Sequence, residues 1–294
     1  MKILMINETF SAAGGAEQYL FDVCRGLSDL GHEVAVVYGK EIQNSKLKSQ
    51  KYNSKFKTYF VRGLTINEII NIVRDFNPDV INLQNVFNPS LYSELVKLKP
   101  TVRFIHDHRT YCPGSSKYWF NSGTICLRPV NFGCAYYAYK EKCLSRRPQK
   151  IISGVTRCYQ LLTGLKKLNR VICNSHYVRD QLLTNGLPSE KIVVNPLFPG
   201  GQLHLARENP TEEPKIPEIL FVGRVFIEKG VDHLLKAAAL IKTPYQLTII
   251  GDGWDLERMK NLSRELGLEL KVQFKGFISR EEIEVHYDRC RMLV

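Results

Sequence analysis

The feature that most constrains the fold is a regular alternation of short apolar runs with amphipathic stretches. The apolar run KILMI at residues 2–6 is followed by residues 16–31, where apolar side chains recur every three or four positions. A second apolar run, EVAVVY, occupies residues 33–38. Continuous apolar runs are typical of buried parallel strands, and the intervening spacing is typical of an amphipathic helix. The segment therefore predicts a βαβ unit with parallel strands.

The same alternation continues along the chain and restarts after an interruption near residue 200. Further strands are predicted at 58–63, 77–85, 101–105, 170–175, 191–196, 218–223, 245–251 and 271–276, with a last strand beginning at 291. Further helices are predicted at 66–76, 88–99, 176–186, 231–241, 254–267 and 279–290. Repeated alternation of this kind predicts an α/β protein with two doubly wound parallel sheets.

Two stretches interrupt the alternation and suggest the domain boundaries. Residues 107–149 are predicted to be an irregular insert, and the stretch up to residue 217 is rich in Pro, Gly and acidic residues, which is typical of a linker. We predict an N-terminal domain at 1–199, a linker at 200–217 and a C-terminal domain at 218–294. About three complete strands are too few for a doubly wound domain, so the second domain is predicted to be incomplete.

The charge is unevenly distributed. Residues 1–200 contain 27 Lys and Arg against 14 Asp and Glu, whereas residues 201–294 contain 14 against 15. A basic first part favours an anionic partner, which could be nucleic acid, phosphorylated lipid headgroups or a charged glycan. Its densest stretch, SKLKSQKYNSKFK at 45–57, fits a solvated loop or a loop that faces a membrane surface or the acceptor. Nucleic acid is not expected, because no nucleic-acid-binding motif accompanies the charge.

The N-terminal sequence and the hydropathy both indicate where in the cell the protein is located. No apolar run reaches about 18 residues, so no transmembrane helix is predicted. The start MKILMINETF lacks the pattern of a signal peptide. We therefore predict a cytoplasmic protein, with peripheral contact at the inner face of the membrane as a further option. In that compartment the eight cysteines are expected to be thiols or metal ligands rather than disulfides.

Gly14 and Gly15 precede the first predicted helix. Free backbone N–H groups and the helix dipole at such a position favour an anion. The alternative is a tight turn that needs glycine for a positive φ. The spacing is not G-x-G-x-x-G, which argues against a dinucleotide-dependent dehydrogenase.

The stretch GRVFIEKG at 223–230 gives a stronger indication of a phosphate site. Arg224 directly follows a predicted strand, and Lys229 lies just before a predicted helix. Both cations would repel the positive end of the helix dipole, and a bound anion would remove that conflict. Arginine binds phosphate oxygens with two parallel N–H groups, and lysine supplies a point charge. The alternative is that both are solvated surface charges.

Four cysteines lie inside the predicted insert with the spacing C-x13-C-x7-C-x8-C. They are Cys112, Cys126, Cys134 and Cys143. Four such thiols could bind a structural zinc ion tetrahedrally and substitute for a small local core. No C-x2-C pair is present, so reduced thiols packed in a tyrosine-rich loop are the alternative. The aromatic and basic side chains of the insert, among them Trp119, could also line an acceptor groove.

Taken together, these motifs resemble glycosyltransferase family 4, which comprises retaining nucleotide-sugar enzymes of GT-B fold. The matching pieces, in the family's order, are KILMINETF…AGGAEQYL, NPDVINLQN, FIHDH, VICNSHYVRDQL, ILFVGRVFIEKGVDHLLKA, LTIIGDGWDLERMK and VQFKGFIS. The resemblance implies two Rossmann-like domains that hold a nucleoside-diphosphate-sugar donor between them. It also implies a glycan or lipid-linked acceptor of cell-surface polysaccharide or glycolipid synthesis, and catalysis that needs no metal or other cofactor.

The resemblance also implies roles for individual residues. Arg224 and Lys229 would be catalytic, since they would hold the donor pyrophosphate and stabilise the leaving diphosphate. His106 matches the family's histidine that faces the transferred sugar or acceptor, and Asp107 is expected to fix its tautomer. The implied donor-binding turns comprise Gly14, Gly15, Gly251, Gly253, Gly276 and Phe277. For Phe277, core packing is an equally good interpretation.

One departure from the family leaves other functions open. Family members carry a pair of Glu residues, seven positions apart, after the strand that RMLV at 291–294 begins. The chain ends before them, so we expect a chain truncated within the C-terminal domain, whose transfer activity is uncertain. The alternatives are a non-catalytic remnant and a sugar-nucleotide epimerase of the same fold. The sequence does not define the donor sugar, the acceptor or the linkage.

Overall fold

The structure is a computed structural model in which two compact units can be described. The residues described are 1–10, 15–40, 56–197 and 216–294. The units divide the chain into Met1–Leu203 and His204–Val294. Most of the predicted linker at 200–217 and most of the lysine-rich stretch at 45–57 lie outside the described residues.

The first unit is built on a seven-stranded sheet. The described strands of the whole unit, including two that lie outside this sheet, are β1 (Lys2–Thr9), β2 (Glu33–Lys40), β3 (Lys57–Phe60), β4 (Val80–Leu83), β5 (Thr101–Ile105), β6 (Tyr118–Trp119), β7 (Thr124–Ile125), β8 (Arg170–Cys173) and β9 (Ile192–Val194). The sheet has the order β3-β2-β1-β4-β5-β8-β9, and all its pairs are parallel. The prediction of a parallel sheet is confirmed, and β5 has the predicted bounds.

Helices cover both faces of this sheet. They are α1 (Gly15–Asp29), α2 (Ile66–Phe76), α3 (Pro89–Leu98), α4 (Gly133–Lys140), α5 (Pro148–Lys167) and α6 (His176–Thr184). Within β1, Leu4 and Ile6 pack in one core with α2, α3, α5 and α6, whereas Ile3 and Met5 pack in a second core with α1. Successive side chains of a strand point to opposite faces, so both faces of β1 are apolar. This explains the uninterrupted run that predicted the strand.

The prediction that residues 107–149 are irregular is wrong in part. The short strands β6 and β7 form an antiparallel hairpin, α4 follows, and α5 begins at Pro148. The 20-residue helix α5 was not predicted, although its sequence carries the signal. Buried apolar residues recur along it every three or four positions, at Ile151, Val155, Cys158, Leu162 and Leu165.

The second unit has a four-stranded sheet of its own. Its described strands are β10 (Glu218–Val222), β11 (Gln246–Ile250), β12 (Val272–Gly276) and β13 (Met292–Leu293), and its helices are α7 (Val231–Ala239), α8 (Leu256–Glu265) and α9 (Arg280–Arg289). The order is β12-β11-β10-β13, and all pairs are parallel. The predicted serine cap of α9 is confirmed, because Ser279 and Glu282 form a reciprocal capping box.

Candidate functional site

The first candidate surface lies at the carboxyl edge of the first sheet. Because β1, β4 and β5 are parallel neighbours, the residues that end them meet at one edge, where ligands bind in open α/β sheets. Asn7 is buried there, and its Oδ1 accepts a hydrogen bond from the backbone N–H of Asn85 at 2.9 Å. Gln84 and His106 follow β4 and β5. The fold thus brings together polar residues that are far apart in the sequence.

His106 is held by Gln84. Its Nε2 lies 2.5 Å from Gln84 Oε1, and Gln84 Nε2 donates to Asn82 Oδ1 at 2.9 Å, which orients the amide. Because a glutamine oxygen can only accept, Nε2 carries the proton in the neutral ring and Nδ1 is left as an acceptor. The prediction that Asp107 fixes this tautomer is wrong. The Asp107 carboxylate instead accepts hydrogen bonds from Arg109, at 2.9 Å from the backbone N–H and 2.7 Å from Nε.

Burial keeps His106 neutral. Its ring lies edge-on to Tyr19, with centroids 5.7 Å apart, and 4.6 Å from the ring of Phe104. This partly apolar surrounding disfavours the charged imidazolium and lowers the pKa of His106 to about 4. At neutral pH the side chain is therefore an uncharged hydrogen-bonding group.

We expect His106 to make the folded protein sensitive to mild acid. The pKa of His106 is about 4 in the folded state, against 6.5 for an ordinary histidine. Between these two pH values the unfolded chain binds more protons than the folded one. The free energy of unfolding therefore falls as the pH decreases from 6.5 to 4. The loss is at most about 3 kcal/mol. Urea unfolding followed by circular dichroism measures the free energy of unfolding. Between pH 7 and pH 4.5 this free energy should fall less for His106→Gln than for the unsubstituted protein. The same loss in both proteins would contradict this account.

The segment after β5 is anchored by a buried arginine that sequence reasoning missed. Arg103 is 2% exposed, and its Nη2 donates to Thr110 Oγ1 at 3.2 Å. His108 forms a 2.7 Å hydrogen bond between its Nδ1 and the Tyr111 hydroxyl and lies edge-on to Tyr177. The partners of His108 therefore differ from those of His106.

The four predicted metal ligands of the insert share one cavity. Cys112, Cys126, Cys134 and Cys143 all line it, together with Lys117. Lys117 is 3% exposed, and its Nζ lies 4.0 Å from Cys126 Sγ and 2.6 Å from the Arg128 carbonyl oxygen. Burial raises the pKa of Cys143 to about 11, so this thiol is protonated at neutral pH. Among the described residues, no three His, Cys, Asp or Glu side chains are arranged to hold a metal ion.

Zinc at these cysteines therefore stays a prediction. Metal analysis of protein never exposed to chelator or acid tests it. About one zinc per chain, lost in Cys126→Ser and retained in Cys290→Ser, would support the site, since Cys290 lies outside the insert. Less than about half an equivalent in the unsubstituted protein would reject it.

The second candidate surface lies at the carboxyl edge of the second sheet, where two turns pack backbone against backbone. The Val225 N–H donates to the Asp252 carbonyl oxygen at 2.9 Å. A Cβ on Gly251 would lie 1.9 Å from the Gly223 carbonyl oxygen, and one on Gly253 would lie 2.2 Å from the Val225 carbonyl oxygen. Gly251 also has a φ of +135°. The sequence assigned both glycines to donor binding, and the structure gives them a packing role at the same edge.

Arg224 and Lys229 both lie exposed beside these turns. The Arg224 guanidinium carbon lies over the Phe226 ring, 4.8 Å from its centroid, which is a cation–π contact. Lys229 ends a short 3-10 turn, and Gly230 follows as the N-cap of α7 with a φ of +69°. A glycine at the N-cap has no side chain that could cap α7, and the acidic group of the first turn is Asp232.

Two carboxylates near this turn are engaged by other cations. Asp232 pairs with Lys236 at 3.5 Å, and Asp255 pairs with Arg258 at 2.6 Å. In the part of the chain that the structure describes, Arg224 and Lys229 have no carboxylate partner of their own. Two unneutralised cations at an uncapped helix start are an arrangement that suits a phosphate.

Exposed aromatic rings complete the second edge. Phe277 is 76% exposed, so the alternative interpretation of core packing is wrong. Trp254 is 64% exposed and stacks on Phe226, with ring centroids 5.9 Å apart and planes 27° apart. Sequence reasoning missed Trp254, although its place directly after Gly253 in a strand-end turn was a usable signal. Gly276 ends β12 with a φ of +67° and accepts a hydrogen bond from the Gly251 N–H at 2.8 Å.

The turn before α1 is described only in part. Gly14 lies outside the described residues, and Gly15 is the first residue of α1. A Cβ at Gly15 would meet no atom within 4 Å, so space does not require glycine there. Its anion-binding role stays a prediction.

Two α/β units with parallel sheets, each with polar residues at its carboxyl edge, define the GT-B class of fold. The family model described as "Glycosyltransferase Family 4" matches residues 13–198, and the model described as "Glycosyl transferases group 1" matches residues 205–294. The chain belongs to glycosyltransferase family 4.

Individual relatives agree with this assignment. The lipopolysaccharide 1,6-galactosyltransferase of Salmonella typhimurium is 34% identical over 106 residues, covering 35% of this chain and 28% of the relative. An uncharacterized glycosyltransferase of Methanocaldococcus jannaschii is 26% identical over 208 residues, covering 67% and 51%. The solved structure of Anabaena HepE with UDP-glucose has a TM-score of 0.65 at 16% identity, covering 100% and 73%. The chain thus spans no more than about half of the length of these two curated relatives.

Proposed function

We propose that this chain carries the donor-binding machinery of a retaining glycosyltransferase. The reaction would move a sugar from a nucleoside-diphosphate sugar to a glycan or lipid-linked acceptor in cell-surface polysaccharide or glycolipid synthesis. The proposal rests on the exposed cations Arg224 and Lys229 at the start of α7, which pair with no carboxylate among the residues that the structure describes. A structural neighbour bound to UDP-glucose and a relative named as a galactosyltransferase support the substrate class.

In this proposal the two cations act on the leaving group. When the bond between the sugar and the diphosphate breaks, negative charge grows on the diphosphate oxygens. Arg224 donates two N–H groups to one phosphate, Lys229 adds a positive charge, and the α7 dipole acts in the same direction. Groups already in place stabilise the growing charge without further reorganisation, so no metal ion is needed for this step.

The rings beside the turn are suited to hold the nucleoside. Trp254 and Phe277 both expose a face at the edge that carries Arg224. A stacked base contributes about 1–3 kcal/mol and tolerates different bases. This contribution would add affinity for the donor without selecting its nucleotide strongly.

In the first unit, His106 is proposed to face the transferred sugar or the acceptor. Its Nδ1 is an acceptor in the tautomer that Gln84 fixes, so it can receive a hydrogen bond from a sugar hydroxyl. A neutral ring also avoids placing a positive charge beside the sugar carbon, where positive charge develops in glycosyl transfer.

The proposal is tested by incubating the protein with UDP-, GDP- and ADP-sugars and measuring release of the nucleoside diphosphate. We expect one donor class to bind and to be hydrolysed slowly without an acceptor. Arg224→Ala should weaken the binding and slow the hydrolysis. Lys242→Ala serves as the matched control, because Lys242 is an exposed cation of the same unit beyond the other end of α7. Interconversion of sugars without diphosphate release would indicate the epimerase alternative, and no binding of any donor would contradict the proposal.

A further inference from the structure

The helix α4 carries an exposed aromatic face. Phe132 directly precedes α4, and Tyr136 and Tyr139 follow it at the four- and seven-residue spacing that places side chains on one side of a helix. The three side chains are 85%, 61% and 54% exposed. Apolar groups of this size in a contiguous exposed patch are typical of an interaction surface.

A basic depression adjoins this aromatic face. The depression consists of two open hollows that share Leu144 and Ser145. The cationic residues that line it are Lys142, Arg146, Arg147, Lys150 and Arg157. The Tyr139 hydroxyl donates to the Arg146 carbonyl oxygen at 2.8 Å, which joins the helix to the basic loop. The aromatic face and the depression therefore form one continuous surface, which we call the insert surface.

Acidic residues are almost absent from this part of the chain. Between Asp107 and Asp180 the sequence contains 13 Lys and Arg but one acidic residue, Glu141. Glu141 is 6% exposed, and its Oε2 accepts a hydrogen bond from the Ser122 backbone N–H at 3.2 Å. It therefore faces inward and does not offset the positive charge of the insert surface.

We propose that the insert surface binds an anionic lipid bilayer. Phenylalanine and tyrosine rings settle at the headgroup level of a membrane, and lysine and arginine are attracted to anionic headgroups. Two exposed aliphatic side chains of the same insert, Ile125 and Leu127, favour lipid over nucleic acid, because aliphatic groups do not stack on bases. No helix in the described ranges is long and apolar enough to cross a membrane.

This inference draws on the proposed function only in that a lipid-linked acceptor resides in such a bilayer. The binding itself is measured without donor, acceptor or turnover. Failure of the glycosyltransferase proposal and failure of lipid binding are therefore distinguishable.

The test is co-sedimentation of the whole chain with vesicles of phosphatidylcholine, with and without 30% phosphatidylglycerol. We expect binding to the anionic vesicles that is at least about tenfold tighter than to neutral ones. The variant Arg146→Gln/Arg147→Gln should bind the anionic vesicles about tenfold more weakly or worse. Phe132→Ser/Tyr136→Ser should weaken binding as well, because it removes two rings that are mostly exposed to solvent in the free protein.

The matched control is Arg25→Gln/Lys97→Gln, which removes the same charge from exposed positions on α1 and α3. It should retain the binding of the unsubstituted protein. Equal loss in both double variants would show that net charge alone attracts the vesicles, and this would overturn the assignment of the surface. The proposal would also be overturned if the protein did not bind vesicles. Tight binding of single-stranded RNA to the same basic residues would then identify nucleic acid as the ligand.

Discussion

Arg224→Ala is expected to weaken binding of a nucleoside diphosphate by roughly 10- to 100-fold. The arginine offers two donors to a charged oxygen pair, and hydrogen bonds to charged groups contribute about 1.5–3 kcal/mol. The contact of the guanidinium with the Phe226 ring restricts its motion before phosphate binds, which lowers the entropy cost of binding. Isothermal titration calorimetry with the diphosphate of the preferred donor measures the change directly.

Arg224→Lys separates charge from geometry in the same experiment. Lysine keeps the positive charge but lacks the planar pair of donors, so we expect it to recover only part of the affinity. Lys229→Ala should weaken binding as well, and Lys242→Ala should leave it unchanged. If Arg224→Ala and Lys229→Ala both retained the original affinity, the pyrophosphate assignment would be wrong.

Gly251→Ala is expected to destabilise the second unit by about 3 kcal/mol or more. The new Cβ would lie 1.9 Å from the Gly223 carbonyl oxygen, which no alanine can tolerate without moving one of the two turns. The backbone at Gly251 also has a φ of +135°, which is unfavourable for any residue with a side chain. Overpacking and backbone strain each cost about 1–3 kcal/mol.

Gly267→Ala provides the matched control for this substitution. Gly267 also has a positive φ, +68°, but a Cβ there meets no atom within 4 Å, so it should cost only about 1 kcal/mol. Trp119 and Trp254 are the two tryptophans of the sequence. In a Trp119→Phe background, urea unfolding followed by fluorescence therefore reports the second unit. Similar unfolding midpoints for the two alanine variants would show that the contact between the turns is not tight.

The fold was largely predictable because its strands are buried on both faces. A parallel strand such as β1 packs on helices from two sides, which forces a continuous apolar run that can be recognised in the sequence. The turn residues Arg224 and Lys229 were also found, since like charges at a helix start are electrostatically unfavourable without a ligand. Local sequence thus carries the class of fold and also the position of the proposed phosphate site.

What could not be predicted depends on contacts between distant residues. Gln84 holds His106 across 22 positions of sequence, so the neighbouring Asp107 seemed the natural partner. The insert was judged irregular because its short strands and α4 are stabilised by contacts within the folded unit, such as the stacking of Trp119 on Tyr137 at 5.1 Å. The packing role of Gly251 likewise appears only when two turns from different strands meet.

The most direct test of the central claim compares the mono- and diphosphate of one nucleoside on the unsubstituted chain. If Arg224 and Lys229 bind the pyrophosphate, titration calorimetry should show the diphosphate binding at least about tenfold more tightly than the monophosphate. Arg224→Ala should reduce that difference. Equal affinities for the two nucleotides on the unsubstituted chain would contradict the account.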